Sequence, residues 1–373
     1  MKTILSESFI KGMDLSTLAE VESCGGRFSD KGVPGDAMEI LKNHGMNLVR
    51  LRLWNDPYSE SGAPYGAGGN DLERTISLAR RAKDLGVAWL LDIHYSDFWA
   101  DPGKQITPKA WQGKNAAELE QAVYEYTRSV LLRLREEDLM PAMTAVGNEL
   151  THGLLWPVGR APHFENIARF VSAGIRAVRE IDGSQPIMLH LDNGTNEELY
   201  RTWFEAYFAA GGADFDCVGM SYYPFWNGSI AELGKNMAQV ARRLGKDIII
   251  AETSTAFSLE DYREYEQLPP EQRKGMATKV ELAAKIAYPI GPEGQCDFLT
   301  DLTAALRQVP DGHGKGFIWW EPAWLPVPGS GWATEAALAY TGEKGPGGNE
   351  WANQALFAYD GSALPALDTL LSL

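Results

Sequence analysis

Cysteine is scarce in this 373-residue sequence, which contains only Cys24, Cys217 and Cys296. The three are odd in number and far apart, so they do not form a disulfide framework, and no Cys-x-x-Cys pair indicates a zinc site. No Gly-x-Gly-x-x-Gly turn follows the first predicted strand, which weakens a nucleotide-binding interpretation. The sequence thus lacks the signatures of a disulfide scaffold, a zinc module and a dinucleotide-binding fold.

Basic residues are also in the minority. Lys and Arg total 34 against 50 Asp and Glu, which gives a formal net charge of −16. Because such a charge repels a phosphate backbone and an anionic lipid surface, we expect neither nucleic acid nor a membrane as a partner and favour a neutral substrate. The surplus acid also fits an ordinary solvated surface.

The first residues, 1–8, contain no apolar stretch of the kind that forms a signal peptide or a membrane anchor. We therefore expect a cytoplasmic protein if the chain is complete as given, and a secreted one if a leader was removed. Nothing else in the sequence decides between these two locations.

Eight apolar segments alternate with helical patterns along the chain. Near-continuous apolar runs, rather than strict alternation, are typical of the buried strands of a parallel sheet. The pattern predicts an α/β fold, a (β/α)8 TIM barrel that forms a single catalytic domain over residues 1–373, with a doubly wound open sheet as the alternative. The predicted strands are 9–16, 47–54, 87–95, 141–149, 186–193, 217–224, 247–254 and 316–322, and the predicted helices include 34–45, 71–86, 116–138, 164–181, 197–210, 230–244 and 295–309.

Two of these strands end in a carboxylic acid. Strand four ends in Asn148-Glu149 and strand seven delivers Glu252. Since the chemistry of an α/β barrel lies at the carboxyl ends of its strands, the two acids are predicted to meet there. Glycoside hydrolysis uses such a pair, although either acid alone is equally consistent with a buried ion pair.

Other polar side chains end strands at the same face. Arg50 and Arg52 lie on one side of strand two, where either could keep a carboxylate ionised, and we favour a core ion pair for the deeper Arg50. Tyr222, on strand six, is predicted to donate to the nucleophilic carboxylate, or else to pack in the core with its hydroxyl satisfied. Asn148 is a candidate donor to a sugar hydroxyl.

Two further polar clusters admit more than one interpretation. Asp92, His94 and Asp97 have a spacing that resembles metal ligands, but without another His or Cys we favour hydrogen bonds to a sugar or to Glu149. His190 and Asp192 on strand five allow the same two interpretations, and there we favour hydrogen-bonded residues of the site wall. We therefore expect no metal at either cluster.

Aromatic residues concentrate in the segments that follow the strands. The long loops 55–70, 96–115, 253–294 and 323–348 all lie at the predicted barrel mouth, where long loops are usually functional. Trp320, at the end of strand eight, could form the floor under a sugar ring in an enzyme or in a binding protein alike. The tryptophans in these segments are Trp99, Trp111, Trp156, Trp226, Trp324 and Trp332.

Several blocks resemble glycoside hydrolase family 53, the endo-β-1,4-galactanases, in order from about Phe9 to Gly361. The third-strand block DIHYSDFWADPGKQ is the most specific of them. The others are GMDLS at 12–16, RLRLWNDP at 50–57, VGNE at 146–149, SYYPFW at 221–226, AET at 251–253, WWEPAW at 319–324 and NQALFAYDG at 353–361.

The resemblance implies a TIM barrel of the large retaining clan whose acids lie on strands four and seven. It implies that Glu149 is the acid/base and Glu252 the nucleophile in the endo-hydrolysis of β-1,4-galactan and type I arabinogalactan, the side chains of pectin. The clan pattern places Arg52, Asn148 and Tyr222 around the nucleophile and His94 near the acid. The expected substrate-binding residues are Arg52, Asp92, His94, Trp99, Asn148, His190, Asp192, Tyr222, Trp226 and Trp320.

One segment departs from the family pattern. Bacterial members carry a stretch rich in Asp, Gly, His and Asn after strand seven that resembles a calcium site, whereas residues 257–276 here read FSLEDYREYEQLPPEQRKGM. We therefore expect no required cofactor, and calcium is not supported by these residues. The alternatives left open are a retaining glycosidase acting on another β-linked polysaccharide, such as mannan or xylan, or on short galacto-oligosaccharides, and a non-catalytic sugar-binding barrel.

Overall fold

The computed structural model describes residues 4–260, 280–344 and 347–373. Within these residues, eight parallel strands follow one another around a closed barrel, and the last pairs with the first through Ile10 and Gly316. This confirms the predicted (β/α)8 fold. The strands are β1 Ile10–Asp14, β2 Leu48–Leu53, β3 Ala88–Ile93, β4 Met143–Val146, β5 Ile187–Leu191, β6 Cys217–Ser221, β7 Asp247–Thr253 and β8 Gly314–Trp319.

One longer helix follows each strand and covers the outside of the barrel. The helix Ala116–Glu136 shows why the segments fold locally, because the Asn115 side chain accepts from the backbone N–H of Glu118 while the Glu118 carboxylate accepts from that of Asn115. The helices are α1 Ala37–Asn43, α2 Leu72–Asp84, α3 Ala116–Glu136, α4 Phe164–Ile181, α5 Glu197–Ala209, α6 Ile230–Leu244, α7 Pro292–Arg307 and α8 Pro365–Ser372.

Two predicted helix starts were wrong. The first helix does not begin at residue 34, because Pro34 lies in a short hairpin formed by Phe28–Asp30 and Val33–Gly35. Helix α1 begins after Asp36, whose side chain caps it by accepting from the Glu39 N–H. Helix α7 begins at Pro292, three residues earlier than predicted, since proline fits the first turn of a helix.

The apolar core is divided by the barrel wall. The largest part packs between the strands and the helices, and a second part fills the barrel interior with side chains such as Leu48, Met143 and Ile249. A third cluster, rich in tryptophan and including Trp54 and Trp324, packs above the carboxyl ends of the strands. Polar side chains that point inward therefore gather between the apolar interior and this aromatic layer. No helix in the described part of the chain is long and apolar enough to cross a membrane.

Candidate active site

A cavity of about 600 Å³ opens at the carboxyl ends of the strands. Both strand-end acids, Glu149 and Glu252, line it. The other polar residues in its wall are His94, Asp101, Lys104, Asn148, Asp192, Asn193, Ser221, Tyr223, Asn227, Glu343 and Glu350, and its aromatic residues are Trp99, Trp226, Trp320, Trp332 and Trp351.

Glu149 reaches the cavity through a sharp turn after β4. Gly147 has a φ of +81°, and a Cβ there would lie 2.6 Å from Leu150 Cδ2, so glycine is needed at this position. Glu149 itself adopts the left-handed conformation, with φ 47° and ψ 58°. Non-glycine residues in this region are often strained and cluster at functional sites. The turn leaves Glu149 only 8% exposed.

Glu252, on β7, is held by one cation and one hydroxyl. Its Oε1 lies 2.7 Å from Arg50 Nη2, and its Oε2 accepts a hydrogen bond of 3.1 Å from the Tyr223 hydroxyl. Burial raises the pKa of Glu252, but the Arg50 guanidinium opposes this effect. Both contacts stabilise the ionised carboxylate, which is the form that can attack as a nucleophile.

Arg50 is the centre of the buried polar network. Its Nη1 donates to Asp14 Oδ2 at 2.6 Å, and its Nη2 donates to Asp92 Oδ2 at 2.6 Å and to Asn148 Oδ1 at 2.9 Å. Burial would lower the pKa of Arg50, but Asp92, Glu252 and Asp14 together raise it. The guanidinium therefore stays charged, and the core ion pair favoured from the sequence also contacts Glu252.

The family resemblance places Arg52 around the nucleophile, but its guanidinium makes its close contacts with two other acids. Arg52 Nη1 contacts Glu321 Oε1 at 2.6 Å and Asp14 Oδ1 at 3.0 Å, not Glu252. Its guanidinium carbon lies 4.5 Å from the ring centroid of Trp99. Two residues further along the strand bring Arg52 roughly 6.6 Å closer to the mouth, where it supports the aromatic layer instead.

The contact with Glu252 that was predicted for Tyr222 is made by the next residue, Tyr223. The Tyr222 hydroxyl donates to the Gly228 carbonyl at 2.9 Å, and its ring stacks on Phe298 of α7 at 6.1 Å, outside the barrel. Tyr223 makes the contact with Glu252. Successive side chains of a strand point to opposite faces, so Cys217 in the interior implies that Ser221 and Tyr223, but not Tyr222, point inward.

Glu149 has a different environment from Glu252. Its Oε1 lies 2.6 Å from Ser221 Oγ. Burial first, and then the negative charge of Glu252, raise the pKa of Glu149 well above its usual range. A protonated Glu149 beside an ionised Glu252 is the division of roles that acid catalysis and nucleophilic attack require.

Two residues expected to touch substrate lie beneath the cavity instead. Asp92 and His190 are fully buried and do not reach the cavity wall, because Arg50 pairs with Asp92 and the Ser221 side chain covers His190. Burial would raise the pKa of Asp92, but Arg50 and His94 lower it to about 2. These are support residues rather than sugar contacts.

His94 and Asp192, by contrast, do line the cavity. His94 Nδ1 accepts from Trp54 Nε1 and from the Ala100 N–H, each at 3.2 Å, so its Nε2–H donates to Asp92 Oδ2 at 3.0 Å. This fixes one neutral tautomer, and burial lowers the pKa of His94. The Asp192 carboxylate accepts from the Thr151 hydroxyl at the cavity edge.

Three predicted tryptophans meet at the cavity. Trp99 and Trp320 lie with ring centroids 6.0 Å apart, and Trp226 packs edge-on against Tyr223 while 46% of it stays exposed. The aromatic faces and the two acids share one cavity. Such a surface suits the apolar faces of sugar rings.

The sequence model of glycosyl hydrolase family 53 matches residues 10–370. This chain belongs to glycosyl hydrolase family 53. It is 34% identical over 355 residues to the endo-beta-1,4-galactanase of Bacillus subtilis (strain 168), and the aligned region covers 91% of this chain and 79% of the relative.

Solved structures of the family are similar over almost the whole chain. The catalytic domain of the family 53 protein of Ignisphaera aggregans is 36% identical, with a TM-score of 0.89 over 97% of this chain and 95% of that one. A chain from the structures of two fungal beta-1,4-galactanases is 29% identical, with a TM-score of 0.78 over 98% and 99%. The family 53 assignment therefore rests on both sequence and fold.

Several residues at the site of this family 53 hydrolase escaped the sequence analysis. Asp14, Ser221, Tyr223 and Glu321 join the polar network only through contacts with distant strands. Trp351 lines the cavity from a loop near the end of the chain. The inward phase of β6, together with the family block at 221–226, is a sequence signal that could have identified Ser221 and Tyr223.

In residues 4–260, 280–344 and 347–373, no group of three or more His, Cys, Asp or Glu side chains could hold a metal ion. Most of the segment 257–276, on which the calcium prediction depends, lies outside the described residues.

Proposed function

We propose that this family 53 hydrolase cleaves internal β-1,4-galactosidic bonds of galactan and type I arabinogalactan with net retention at the anomeric carbon. The observation that carries the mechanism is the different setting of two buried acids in one cavity, Glu252 beside the Arg50 guanidinium and Glu149 beside the Ser221 hydroxyl. The substrate is supported by the similarity to the Bacillus subtilis endo-beta-1,4-galactanase. We further propose that residues 1–373 act as a single catalytic domain that requires no cofactor.

The two acids divide the reaction into two displacements. In the first, Glu149 gives its proton to the glycosidic oxygen while the Glu252 carboxylate attacks the anomeric carbon, so the C–O bond to the leaving sugar breaks and a galactosyl ester forms. In the second, Glu149 removes a proton from water, whose oxygen attacks the same carbon and releases Glu252. Each step inverts the anomeric carbon, so the product retains the original configuration.

The network below the acids keeps them in place during this cycle. Arg50 contacts both Glu252 and Asn148, so one guanidinium orients the nucleophile and the residue that precedes the acid. The Tyr223 hydroxyl adds a second donor to Glu252, and this bond orients the carboxylate for attack. Positioning by buried charge-assisted bonds lowers the reorganisation needed in the transition state.

Substrate contact is proposed for the residues that line the cavity. Trp99, Trp226 and Trp320 present aromatic surface to the sugar rings. His94, Asn148 and Asp192 present polar atoms at the same wall, where they can exchange hydrogen bonds with sugar hydroxyls. A neutral polysaccharide is compatible with the net charge of −16, whereas we expect no nucleic-acid or membrane partner.

The test is the release of reducing ends from debranched β-1,4-galactan, compared with β-mannan, xylan and β-1,3-galactan, with Glu252→Ala as the control. We expect cleavage of β-1,4-galactan only, with loss of about 10³-fold or more in the variant, since the nucleophile supplies several kcal/mol of transition-state stabilisation. NMR of the first product should show the β-anomer, and early products should be long oligosaccharides. Prior treatment with EDTA should leave the rate unchanged.

Each alternative gives a distinct result in the same experiment. Cleavage of mannan or xylan instead of galactan would retain the two-acid mechanism and reject the substrate. Activity on short galacto-oligosaccharides alone would reject endo-action on the polymer. Binding of a glycan without cleavage of any glycan would reject the proposal that the protein is an enzyme.

A further inference from the structure

A single hydroxyl, that of Ser221, lies between two groups that compete for its hydrogen. Ser221 Oγ is 2.6 Å from Glu149 Oε1 and 2.8 Å from His190 Nε2. Ser221 and His190 are both 1% exposed. Because both residues are almost fully buried and each of these polar atoms has a close protein partner, the hydrogens in this chain of contacts can be counted.

The count begins at Asn148. Its Nδ2 lies 2.8 Å from the Ala100 carbonyl, which can only accept, and its Oδ1 lies 2.9 Å from Arg50 Nη2, which can only donate. Asn148 Oδ1 is therefore an acceptor. The His190 Nδ1, 2.7 Å from this oxygen, must carry a hydrogen and donate it.

A neutral His190 then presents a bare Nε2, an acceptor, to Ser221. If Glu149 is ionised, Ser221 has one hydrogen for two acceptors, and one close contact is left between two lone pairs. If Glu149 carries a proton, its O–H donates to Ser221 Oγ, the Ser221 O–H donates to His190 Nε2, and every group is satisfied.

We propose that Ser221 and His190 form a hydrogen-bond relay in which every donor and acceptor is paired only when Glu149 is protonated. This relay keeps Glu149 protonated, so that it can donate its proton to the next glycosidic oxygen. Ser221 and His190 are then positioning residues, which act through Glu149. The inference rests on the proposed role of Glu149 as the acid/base.

The surrounding charges agree with this hydrogen count. His190 does not escape by taking a second proton, because burial and the Arg50 guanidinium lower its pKa to about 3. Burial and the nearby carboxylates raise the pKa of Glu149, whereas a Ser221 hydroxyl that donates to the ionised carboxylate lowers it. The charged and titratable groups that act on the relay are Glu252, Asp192 and Asp101 for Glu149, and Arg50, Asp92 and His94 for His190.

The relay also accounts for the return of the proton during turnover. When Glu149 protonates the leaving oxygen, it becomes a carboxylate, and the Ser221 hydroxyl can rotate to donate to it. That rotation removes the donor from His190 Nε2, so the ionised state is left with one unmet contact. Uptake of a proton from the attacking water in the second displacement restores the complete chain of donors.

The deciding experiment is the pH profile of kcat/KM for Ser221→Ala on β-1,4-galactan. The alkaline limb of that profile reports the acid in the free enzyme. Loss of the relay should move this limb to lower pH by about one unit, so that the rate relative to wild type falls a further tenfold from the acid side of the limb to the alkaline side. Ser221→Thr, which keeps the hydroxyl, should restore the wild-type limb.

The opposite arrangement predicts the opposite sign. If Ser221 donated to an ionised Glu149, its removal would move the alkaline limb to higher pH, and that result or an unchanged limb would overturn the proposal. Ser254→Ala is the matched control, because it removes an equally buried hydroxyl that donates to Gln354 Oε1 at 3.0 Å. This variant should retain the wild-type limb.

A second measurement needs no substrate. In infrared difference spectra recorded as a function of pH, the C=O stretch of protonated Glu149 is the band that is absent in Glu149→Gln. The pH at which half of this band is lost should fall by the same amount in Ser221→Ala. An unchanged midpoint would refute the relay even if the galactanase function held. Conversely, a shifted midpoint in an enzyme that does not cleave galactan would retain the relay and reject the proposed substrate.

Discussion

The adjacent residues Tyr222 and Tyr223 offer a sharp test of the site geometry, because their hydroxyls point to opposite faces of the barrel wall. The Tyr223 hydroxyl donates to Glu252 at 3.1 Å inside the cavity, whereas the Tyr222 hydroxyl donates to the Gly228 carbonyl at 2.9 Å outside it. Replacing either tyrosine by phenylalanine removes one oxygen and keeps the ring. The two variants therefore differ only in which hydrogen bond is lost.

The expected magnitudes follow from the charge of each acceptor. A hydrogen bond to a charged group contributes about 1.5–3 kcal/mol, so Tyr223→Phe should lower kcat/KM on galactan by about 10- to 150-fold. A bond to a neutral carbonyl contributes about 0.5–1.5 kcal/mol, and Tyr222→Phe should lose that much stability and little activity.

The assay is the initial rate of reducing-end release for both variants, together with the free energy of unfolding in urea. We expect a large loss of rate for Tyr223→Phe and less than a twofold loss for Tyr222→Phe. A twofold change is well below the tenfold change that corresponds to about 1.4 kcal/mol. A larger rate loss in Tyr222→Phe would show that β6 has the opposite phase. Equal losses would show that neither hydroxyl acts on Glu252 directly.

Two further predictions concern Glu321 and Trp226. Burial raises the pKa of Glu321 to about 8 against the pull of Arg52, so the folded protein keeps a proton that the unfolded chain releases above about pH 4.5. The free energy of unfolding should therefore fall as the pH rises between these two pKa values. Urea unfolding should show a weaker pH dependence of this free energy in Glu321→Gln and the wild-type dependence in Glu335→Gln, where the replaced residue is exposed. The same pH dependence in all three proteins would contradict the assignment. Trp226→Ala should raise KM for galactan roughly fivefold, because a sugar that covers about 40 Å² of indole gains about 1 kcal/mol. Phe208→Ala, at a comparably exposed aromatic residue on α5, should leave KM unchanged, and an equal rise in both would remove Trp226 from the binding surface.

The sequence by itself determined the barrel and the strand ends that carry the acids. Eight apolar segments separated by capped helices specify buried parallel strands, since each strand is apolar on both faces and each helix has one apolar face to cover it. Glu149 and Glu252 follow from that count, because the carboxyl ends of parallel strands all lie on one side of the barrel. The long aromatic loops were predicted at the same face for the same reason.

Tertiary structure decided which neighbour of each pair enters the site. A strand pattern gives the alternation of side chains but not the depth at which each one meets the opposite wall, so only the structure shows that Arg50 contacts Glu252 and that Arg52 contacts Glu321. The register shift between β6 and β7, at Met220 and Ser221, adds to this uncertainty.

Contacts between distant strands were also decided only in three dimensions. The path from Glu149 to Ser221 to His190 crosses β6 and β5, and its two hydrogen bonds join residues 72 and 31 positions apart in the chain. No local pattern encodes such a path, because each residue alone reads as an ordinary buried polar group. The barrel brings them together by closing the sheet, and their burial then requires each donor and acceptor to pair with another protein group.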